Sequence, residues 1–221
     1  MLTAALINYN IPRLMLQDSI AKALQLTNDY RLTHLPVVAD DVFLGLISEE
    51  DLLDAEDSKL AIETLQGSFV IAAVKDNVHF LNAVNISIQN DSTIVPVINA
   101  SSDHYVGVIT VSDLLVALGN FSGANEIGGI IVLELERSQF AISEISRIVE
   151  SNDSHILHLN STQNLQTGML TVTLHTNKRE IAAIVATFER YDYDVVYYFG
   201  NENFGNELNT NYQHLMNYLD I

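Results

Sequence analysis

The sequence predicts an α/β (α+β) protein whose first half is duplicated and whose second half is a separate domain. Residues 35–55, LPVVADDVFLGLISEEDLLDA, and residues 95–117, VPVINASSDHYVGVITVSDLLVA, repeat one pattern of strand, turn, strand and helix. A glycine-rich stretch follows, and after it strand and helix periodicities alternate along the rest of the chain. These observations predict a pseudo-two-fold pair of β-α-β-β-α repeats over residues 1–119 and a smaller domain over residues 129–200.

The composition limits the partners and the setting. With 10 Lys and Arg against 28 Asp and Glu, the formal net charge of the 221 residues is −18. A surface this acidic does not neutralise the phosphates of nucleic acid or of an anionic membrane, so we expect neither as a partner. The sequence shows no cysteine, no basic leader and no apolar run of about eighteen residues. A soluble cytoplasmic protein is therefore expected.

The first repeat, about residues 1–65, contains a proline-bearing strand. Because proline lacks the N–H group that a central strand donates, Pro36 is expected at a strand start, at an edge or where the backbone faces something else. The predicted elements are a helix capped at Asp18 or Ser19, strands at 33–38 and 42–47, and a helix from Ser48 that extends toward Leu65.

The second repeat, about residues 66–119, follows the same plan with Pro96 in place of Pro36. Its predicted elements are a strand at 69–74, a helix from Asp76 or Asn77 to residue 88, strands at 94–98 and 106–109, and a helix at 110–118.

The last helix of each repeat opens with a hydroxyl residue and an aspartate three positions later. These pairs are Ser48 with Asp51 and Thr110 with Asp113. Such pairs cap helices, because the hydroxyl accepts from the free N–H groups of the first turn and the carboxylate lies at the positive end of the helix dipole. The same geometry suits a nucleotide, since a carboxylate accepts hydrogen bonds from a ribose diol and the helix start holds phosphate. Both readings stay open at this point.

The repeated residues LPVV, GLISEEDLL, VPVI and GVITVSDLL resemble a tandem of cystathionine-β-synthase (CBS) domains, a Bateman module, over residues 1–119. The resemblance implies two clefts that take adenosine-containing ligands such as AMP, ADP, ATP or S-adenosylmethionine, with no cofactor required. By the same resemblance, Asp51 and Asp113 bind ribose, and Ser48 and Thr110 lie near phosphate. The backbone that it places beside adenine belongs to Leu35, Pro36, Val95 and Pro96. Because this half of the chain has few cations, an AMP-like ligand is favoured over a triphosphate.

The second half follows a glycine-rich linker at residues 120–128. The predicted elements are strands at 130–136, 155–160, 169–175 and 195–199, with helices at 142–149 and 178–191. The order βαββαβ is that of the ferredoxin-like fold. This half is similar to an ACT domain, and the whole chain resembles the acetoin-utilisation accessory proteins. The loop ERSQFAI at residues 136–142 lacks the D-x-P-G of that family, which favours a pairing role over amino-acid binding.

No recognisable catalytic or metal-binding motif accompanies these elements. His155 and His158 are three residues apart, a spacing that places them on opposite faces of a strand. We therefore expect no catalytic residues, no metal site and no enzyme.

The tail at residues 201–221 is rich in asparagine and then becomes periodic. Its apolar residues at helical spacing are Leu208, Tyr212, Leu215, Met216 and Leu219. They predict a C-terminal helix that covers the sheet edge of the second domain or reaches a partner subunit.

Taken together, the sequence predicts a non-catalytic regulatory protein, a homodimer, that senses an adenosine-containing ligand. The ACT-like half would pair subunits or transmit the signal, and a further protein partner is left open. The alternative is a ligand-free dimeric interaction scaffold in which Asp51 and Asp113 only cap helices.

Overall fold

The computed structural model describes residues 1–200, and the chain divides into two units between Gly119 and Asn120. The first unit holds both repeats. The elements of the first repeat are a 3₁₀ turn at Thr3–Leu6, α1 at Ile20–Tyr30, β1 at His34–Ala39, β2 at Val42–Ser48 and α2 at Glu49–Leu53. Those of the second are a 3₁₀ turn at Ile62–Ser68, β3 at Val74–Lys75, α3 at Leu81–Gln89, β4 at Ile94–Ile98, β5 at Tyr105–Thr110 and α4 at Val111–Ser122.

The two repeats pair their strands in the same way. β1 runs antiparallel to β2 with Pro36 opposite Leu46, and β4 runs antiparallel to β5 with Pro96 opposite Val108. A third segment lies parallel to each proline-bearing strand. In the second repeat this segment is β3, and in the first a single bridge from Leu14 takes its place. The matched pairing confirms the mixed α/β fold with a pseudo-two-fold pair of repeats.

Each repeat also receives a strand-like segment from the start of the other. Val70, at the start of the second repeat, exchanges two backbone hydrogen bonds of 2.9 Å with Leu46 of β2. Asn8, at the start of the first repeat, exchanges two with Val108 of β5, at 2.6 and 3.2 Å. We call residues 5–10 and 67–72 the leading segments. Because the exchange is reciprocal, the backbone groups of β2 and β5 are satisfied only when both repeats are folded.

The glycines of the two motifs make room for the leading segments. A Cβ atom at Gly107 would stand 2.7 Å from Ile7 Cγ2 and 3.0 Å from the carbonyl oxygen of Asn8. A Cβ atom at Gly45 would stand 2.8 Å from the Cβ of Phe69. These separations are shorter than van der Waals contact, so each glycine marks a close approach of another stretch of backbone.

One of the two buried apolar clusters of the first unit contains residues of both repeats. Ile94 and Val108 of the second repeat lie in the same buried cluster as Leu46 of the first. Equivalent threonines also bind each other: the N–H of Thr33 donates to Thr93 Oγ1 at 3.0 Å, and the N–H of Thr93 donates to Thr33 Oγ1 at 3.1 Å. The first unit is therefore one folded body rather than two linked repeats.

The second unit is a four-stranded antiparallel sheet with two helices on one face. Its elements are β6 at Gly129–Leu135, a 3₁₀ turn at Arg137–Gln139, α5 at Ile142–Glu150, β7 at Ile156–Gln163, β8 at Leu170–Thr176, α6 at Ala182–Arg190 and β9 at Asp194–Phe199. The strand order is β7-β8-β6-β9, and every neighbouring pair is antiparallel. The order of elements is the βαββαβ order of the ferredoxin-like fold.

The structure corrects the predicted linker. Residues 120–122 are helical, because α4 continues to Ser122 and ends where Gly123 adopts a φ of +67°. Gly119 lies inside the helix, where a glycine is tolerated at a cost of about 1 kcal/mol. The glycine-rich composition therefore misplaced the end of this helix by a full turn.

Four other element boundaries differ from the prediction, each where neighbouring backbone or side-chain groups compete for the same hydrogen bonds. Helix α2 ends at Leu53 instead of extending to Leu65, because the backbone of residues 60–62 pairs with the start of α1. Helix α3 begins at Leu81, because the carbonyl groups of Asp76 and Val78 accept from the first 3₁₀ turn.

The predicted strand at residues 69–74 is reduced to its last residue in β3, since Val70 pairs instead with β2. Helix α6 begins at Ala182 rather than at Lys178, whose carbonyl group accepts from Thr176 Oγ1 at 3.0 Å. The predicted C-terminal helix lies outside the described residues.

We predict that Gly107→Ala destabilises the first unit by about 1–3 kcal/mol, because the new methyl group overpacks against the leading segment. Urea unfolding followed by circular dichroism measures the change. Gly67→Ala is the matched control: no atom lies within 4 Å of its added Cβ, so its effect should stay within about 0.5 kcal/mol. Equal effects of the two substitutions would contradict the packing role of Gly107.

Candidate functional site

The first helix start, at Ser48 and Asp51, is a complete cap. The N–H group of Asp51 donates to Ser48 Oγ at 3.0 Å, and the Ser48 hydroxyl donates to Asp51 Oδ2. Both side chains are half-buried. The capping interpretation of this pair is therefore correct, although the helix that it caps has only 5 residues.

The second helix start, at Thr110 and Asp113, has the same geometry on a longer helix of 12 residues. The N–H group of Asp113 donates to Thr110 Oγ1 at 3.1 Å. Asp113 Oδ2 accepts from the Thr110 hydroxyl at 2.6 Å and from the Thr110 N–H at 3.2 Å. Within residues 1–200, Asp113 Oδ1 has no hydrogen bond. One carboxylate oxygen thus caps the helix, and the other has an unused capacity to accept hydrogen bonds among the described residues.

A cleft of about 400 Å³ opens beside Asp113, between α4 and the first leading segment. This volume lies in the range of small-molecule sites. Among residues 1–200, Asp113 is the only charged residue in its lining, and Tyr9 is 71% exposed. The residues that line it are Ala5, Leu6, Ile7, Asn8, Tyr9, Asn10, Asp113 and Val116.

The predicted adenine-contacting residues lie inside the sheets. Leu35, Pro36, Val95 and Pro96 are all buried, and none of them lines the cleft beside Asp113. Pro36 lies in β1, an edge strand of a two-stranded sheet, and its carbonyl group accepts from the N–H of Leu14 at 2.8 Å. The edge expected at Pro36 is therefore present, but it is not free at this carbonyl group. A contact between the backbone of these four residues and a ligand stays a prediction.

The basic side chains of the first unit provide no cation to this cleft. Three of them form ion pairs elsewhere, namely Arg13 with Asp41 at 2.8 Å, Lys22 with Asp18 at 2.6 Å and Lys75 with Asp103 at 3.7 Å. The cleft therefore presents one negative charge and polar amides to whatever enters it.

A second cavity, of about 320 Å³, lies on the Arg13 side of Tyr9. Burial raises the pKa of Tyr105 in its wall to about 12, although the charge of Arg13 acts in the opposite direction. The Tyr105 hydroxyl oxygen is buried and has no hydrogen-bond partner among the described residues. The lining residues are Tyr9, Ile11, Pro12, Arg13, Tyr105, Val106 and Gly107.

His34 lies at the start of β1, opposite Ser48. Burial lowers its pKa, and this effect outweighs the opposite influence of the carboxylates of Asp51 and Asp91. The imidazole Nδ1 lies 2.9 Å from Thr33 Oγ1. A lowered pKa disfavours the charged form of the ring, so His34 is a poor source of positive charge for a phosphate.

The second unit has a smaller cavity of about 150 Å³ at the end of α6. Burial raises the pKa of Tyr193 there, and the charge of Glu144 and a 3.3 Å hydrogen bond to Glu144 Oε2 act in the same direction. The lining residues are Gln139, Glu144, Tyr191, Asp192 and Tyr193. Its two carboxylates disfavour the carboxylate of an amino-acid ligand.

Within residues 1–200, neither a metal-binding group of side chains nor a membrane-spanning helix is present. No group of three or more His, Cys, Asp or Glu side chains there is placed to hold a metal ion. No helix in that range is both long and apolar enough to cross a membrane.

Sequence reasoning missed two parts of the site. The first leading segment supplies most of the cleft wall, yet its sequence, ALINYN, shares no residue identity with GSFVIA in the second leading segment. The exchange between Thr33 and Thr93 was also missed, although T-x-x-P recurs at both places and signals it. An offset of 60 residues aligns the two threonines with the two prolines.

The family model of the CBS domain matches residues 5–58. This range begins in the first leading segment and runs through the strand pair and Asp51 to the end of the first repeat's motif. Residues 5–58 are therefore similar to the CBS domain family. The second repeat lies outside the matched residues, although it has the same strand pairing and the same helix start.

The chain is also similar to solved structures. A CBS domain pair/ACT domain protein from Thermotoga maritima shows 18% identity and a TM-score of 0.49, over 55% of this chain and 98% of that chain. The CBS domains of a transcriptional regulator from Streptococcus pneumoniae show 22% identity and a TM-score of 0.46, over 52% and 97%. CBSX2, solved in complex with AMP, shows 18% identity and a TM-score of 0.45, over 54% and 97%.

Proposed function

We propose that the chain is a non-catalytic regulatory protein that binds an adenosine-containing ligand, AMP-like in its charge, in the cleft beside Asp113. The observation that carries the proposal is that the two oxygens of the Asp113 carboxylate have different surroundings. Oδ2 is fixed by Thr110, and Oδ1 has no partner in residues 1–200. A carboxylate held in this way accepts hydrogen bonds from a ribose diol without reorganising.

The rest of the cleft suits a purine base. The exposed ring of Tyr9 offers a flat apolar surface, and bases stack on aromatic side chains. The amides of Asn8 and Asn10 supply both donors and acceptors, which match the mixed edge of adenine. The Asn8 Oδ1 atom already accepts from the N–H of Asn10 at 2.9 Å, so Asn10 is the amide that we assign to the base.

We predict that Asp113→Ala weakens AMP binding at least about tenfold, since hydrogen bonds to a charged group contribute about 1.5–3 kcal/mol each. Isothermal titration calorimetry with adenosine, AMP, ADP, ATP, S-adenosylmethionine and NAD measures the loss. The matched control is Asp76→Ala, which removes a carboxylate that accepts from the N–H of Ala100 at 3.1 Å and does not line the cleft.

Both variants lose a local hydrogen bond, but only Asp113→Ala should lose ligand. If the wild-type chain binds none of the six compounds at millimolar concentration, the protein is instead a ligand-free scaffold.

The charge of the cleft sets the order of ligands. Because Asp113 is the only charged group that residues 1–200 contribute to the lining, each added phosphate meets repulsion that no cation of this part of the chain offsets. We therefore predict that affinity falls from AMP to ATP when Mg²⁺ is absent. Ala5→Lys, in the cleft wall, should raise ATP affinity about fivefold, corresponding to about 1 kcal/mol for a pair of charges in water.

Adenosine binding should not change in this variant. Ala4→Lys is the control, because Ala4 is exposed and does not line the cleft. Tighter binding of ATP than of AMP by the wild-type chain in EDTA would contradict the assignment.

We propose that the chain acts as a homodimer, and helix α4 supports this. Three apolar side chains near its start remain exposed: Val111 at 43%, Leu115 at 68% and Val116 at 63%. A contiguous apolar surface of this kind is typical of an interface.

We predict that Leu115→Lys shifts the mass in sedimentation equilibrium to that of the 24.5 kDa monomer. The substitution also makes the net charge less negative, which by itself would favour association. Dissociation would therefore be due to the lost apolar contact. Asn120→Lys makes the same charge change on an exposed position of α4 and should leave the dimer intact. A monomeric wild-type chain would overturn the proposal.

The second unit is proposed to be an ACT-like pairing or signal-transmitting domain, as the resemblance to the acetoin-utilisation accessory proteins implies. The ferredoxin-like order of elements supports this role, and the acidic lining of its cavity disfavours the carboxylate group of an amino-acid ligand. We propose the cytoplasm as the place of action, and a further protein partner stays open.

A further inference from the structure

Helices α5 and α6 cover one face of the sheet of the second unit. The side chains of Ile131 and Leu133 of β6 point into the core formed with α5 and α6. Since successive residues of a strand alternate between faces, Ile130 and Val132 point to the opposite face. In the register of β6 with β9, Ile130 is opposite Phe199 and Val132 is opposite Tyr197.

Directly opposed residues of paired strands share a face, so these four side chains form one group. We call Ile130, Val132, Tyr197 and Phe199 the outer apolar patch. Tyr197 is 54% exposed and Phe199 is 55% exposed, which is unusual for two aromatic side chains next to each other on a sheet.

The rest of this face of the sheet is more polar or is in contact with other residues. The β8 residues that face outward beside Ile130 and Val132 are His175 and Thr173, which are polar. Farther along, the ring of Phe121 lies against His158 of β7, with 5.8 Å between the ring centroids. The open apolar surface is therefore confined to β6 and β9, at the end of the sheet from which the chain continues.

The chain continues from this patch for 21 further residues, which lie outside the described part. Their sequence has two parts. Residues 201–207, NENFGNE, have the asparagine and glycine content of a turn or linker. Residues 208–219 place Leu208, Tyr212, Leu215 and Leu219 at spacings of 4, 3 and 4, which puts all four on one side of a helix.

We propose that residues 208–219 form an amphipathic helix that docks on the outer apolar patch of the same chain. The seven-residue linker reaches at most about 24 Å, which is enough to reverse direction after β9 and return over the sheet. A helix of 12 residues is about 18 Å long, similar to the length of the strands that it would cover.

A second copy of the chain is a weaker occupant of the patch for two reasons. A tethered segment has an effective concentration near the millimolar range, far above the concentration of another copy in solution. Two copies also bring together net charges of −18 each, whereas residues 201–221 carry only Glu202, Glu207 and Asp220.

Because the sequence contains no cysteine, any disulfide formed in a cross-linking test comes from the introduced cysteines. In the full-length chain, Thr173→Cys places a thiol at the rim of the patch and leaves the four apolar side chains intact. It is combined either with Leu215→Cys on the apolar side of the predicted helix or with Asn217→Cys, two residues and about 200° away. We expect disulfide formation to be at least about tenfold faster with Leu215→Cys, because only that side faces the sheet.

The test is run on a 1:1 mixture of ¹⁴N- and ¹⁵N-labelled protein. Cross-linked peptides that carry a single isotope support docking within one chain. Peptides that combine both isotopes would show that another copy supplies the tail, which overturns the proposal. Equal rates for the two cysteine pairs would also overturn it.

Hydrogen exchange gives a second measurement that does not depend on disulfide geometry. In the full-length chain, Leu215→Asp should speed exchange in the peptide covering residues 194–200 at least about tenfold, because a charge cannot be buried against the patch. Asn217→Asp adds the same charge on the opposite side of the predicted helix and should leave exchange unchanged. Equal exchange in the two variants would count against docking.

Discussion

The first unit depends on a reciprocal exchange of backbone between its two repeats. Val70 pairs with Leu46, and Asn8 pairs with Val108. Each pairing satisfies N–H and C=O groups that would otherwise be left at a sheet edge, and such groups are costly when buried. The exchange also explains why each motif contains a glycine. Gly107 is approached by Ile7, about 100 residues before it, and Gly45 is approached by Phe69, about 24 residues after it.

The same exchange builds the candidate site. The first leading segment crosses β5 and, in doing so, places Tyr9 and Asn10 beside the start of α4. The capping bonds of Thr110 then fix the Asp113 carboxylate toward this wall. Capping and ligand binding are therefore not competing explanations of the same residues. When one carboxylate oxygen accepts the capping hydrogen bonds, the position of the other oxygen is fixed as well. An acceptor that is already fixed loses less entropy when a ligand binds.

The sequence was most informative where the two repeats could be compared. Pro36 with Pro96, and Gly45 with Gly107, defined β1, β2, β4 and β5 to within about one residue. The leading segments were missed because they contribute mainly backbone hydrogen bonds, which place little demand on residue type. Two helix boundaries were predicted wrongly for a related reason. The start of α3 and the end of α2 are determined by hydrogen bonds to residues distant in sequence. Local propensity contains no information about such partners.

The position of α4 connects the site to the rest of the chain. The helix begins at Val111, next to the capping threonine, and ends at Ser122, beyond the boundary between the two units. At its far end, Phe121 contacts His158 of β7. A ligand held between the leading segment and the start of this helix would favour one position of the helix over others. Because a helix is a rigid element, that preference would be felt at its far end as well. If the proposed ligand binds here, a difference in its affinity between two positions of α4 would be enough to produce a signal.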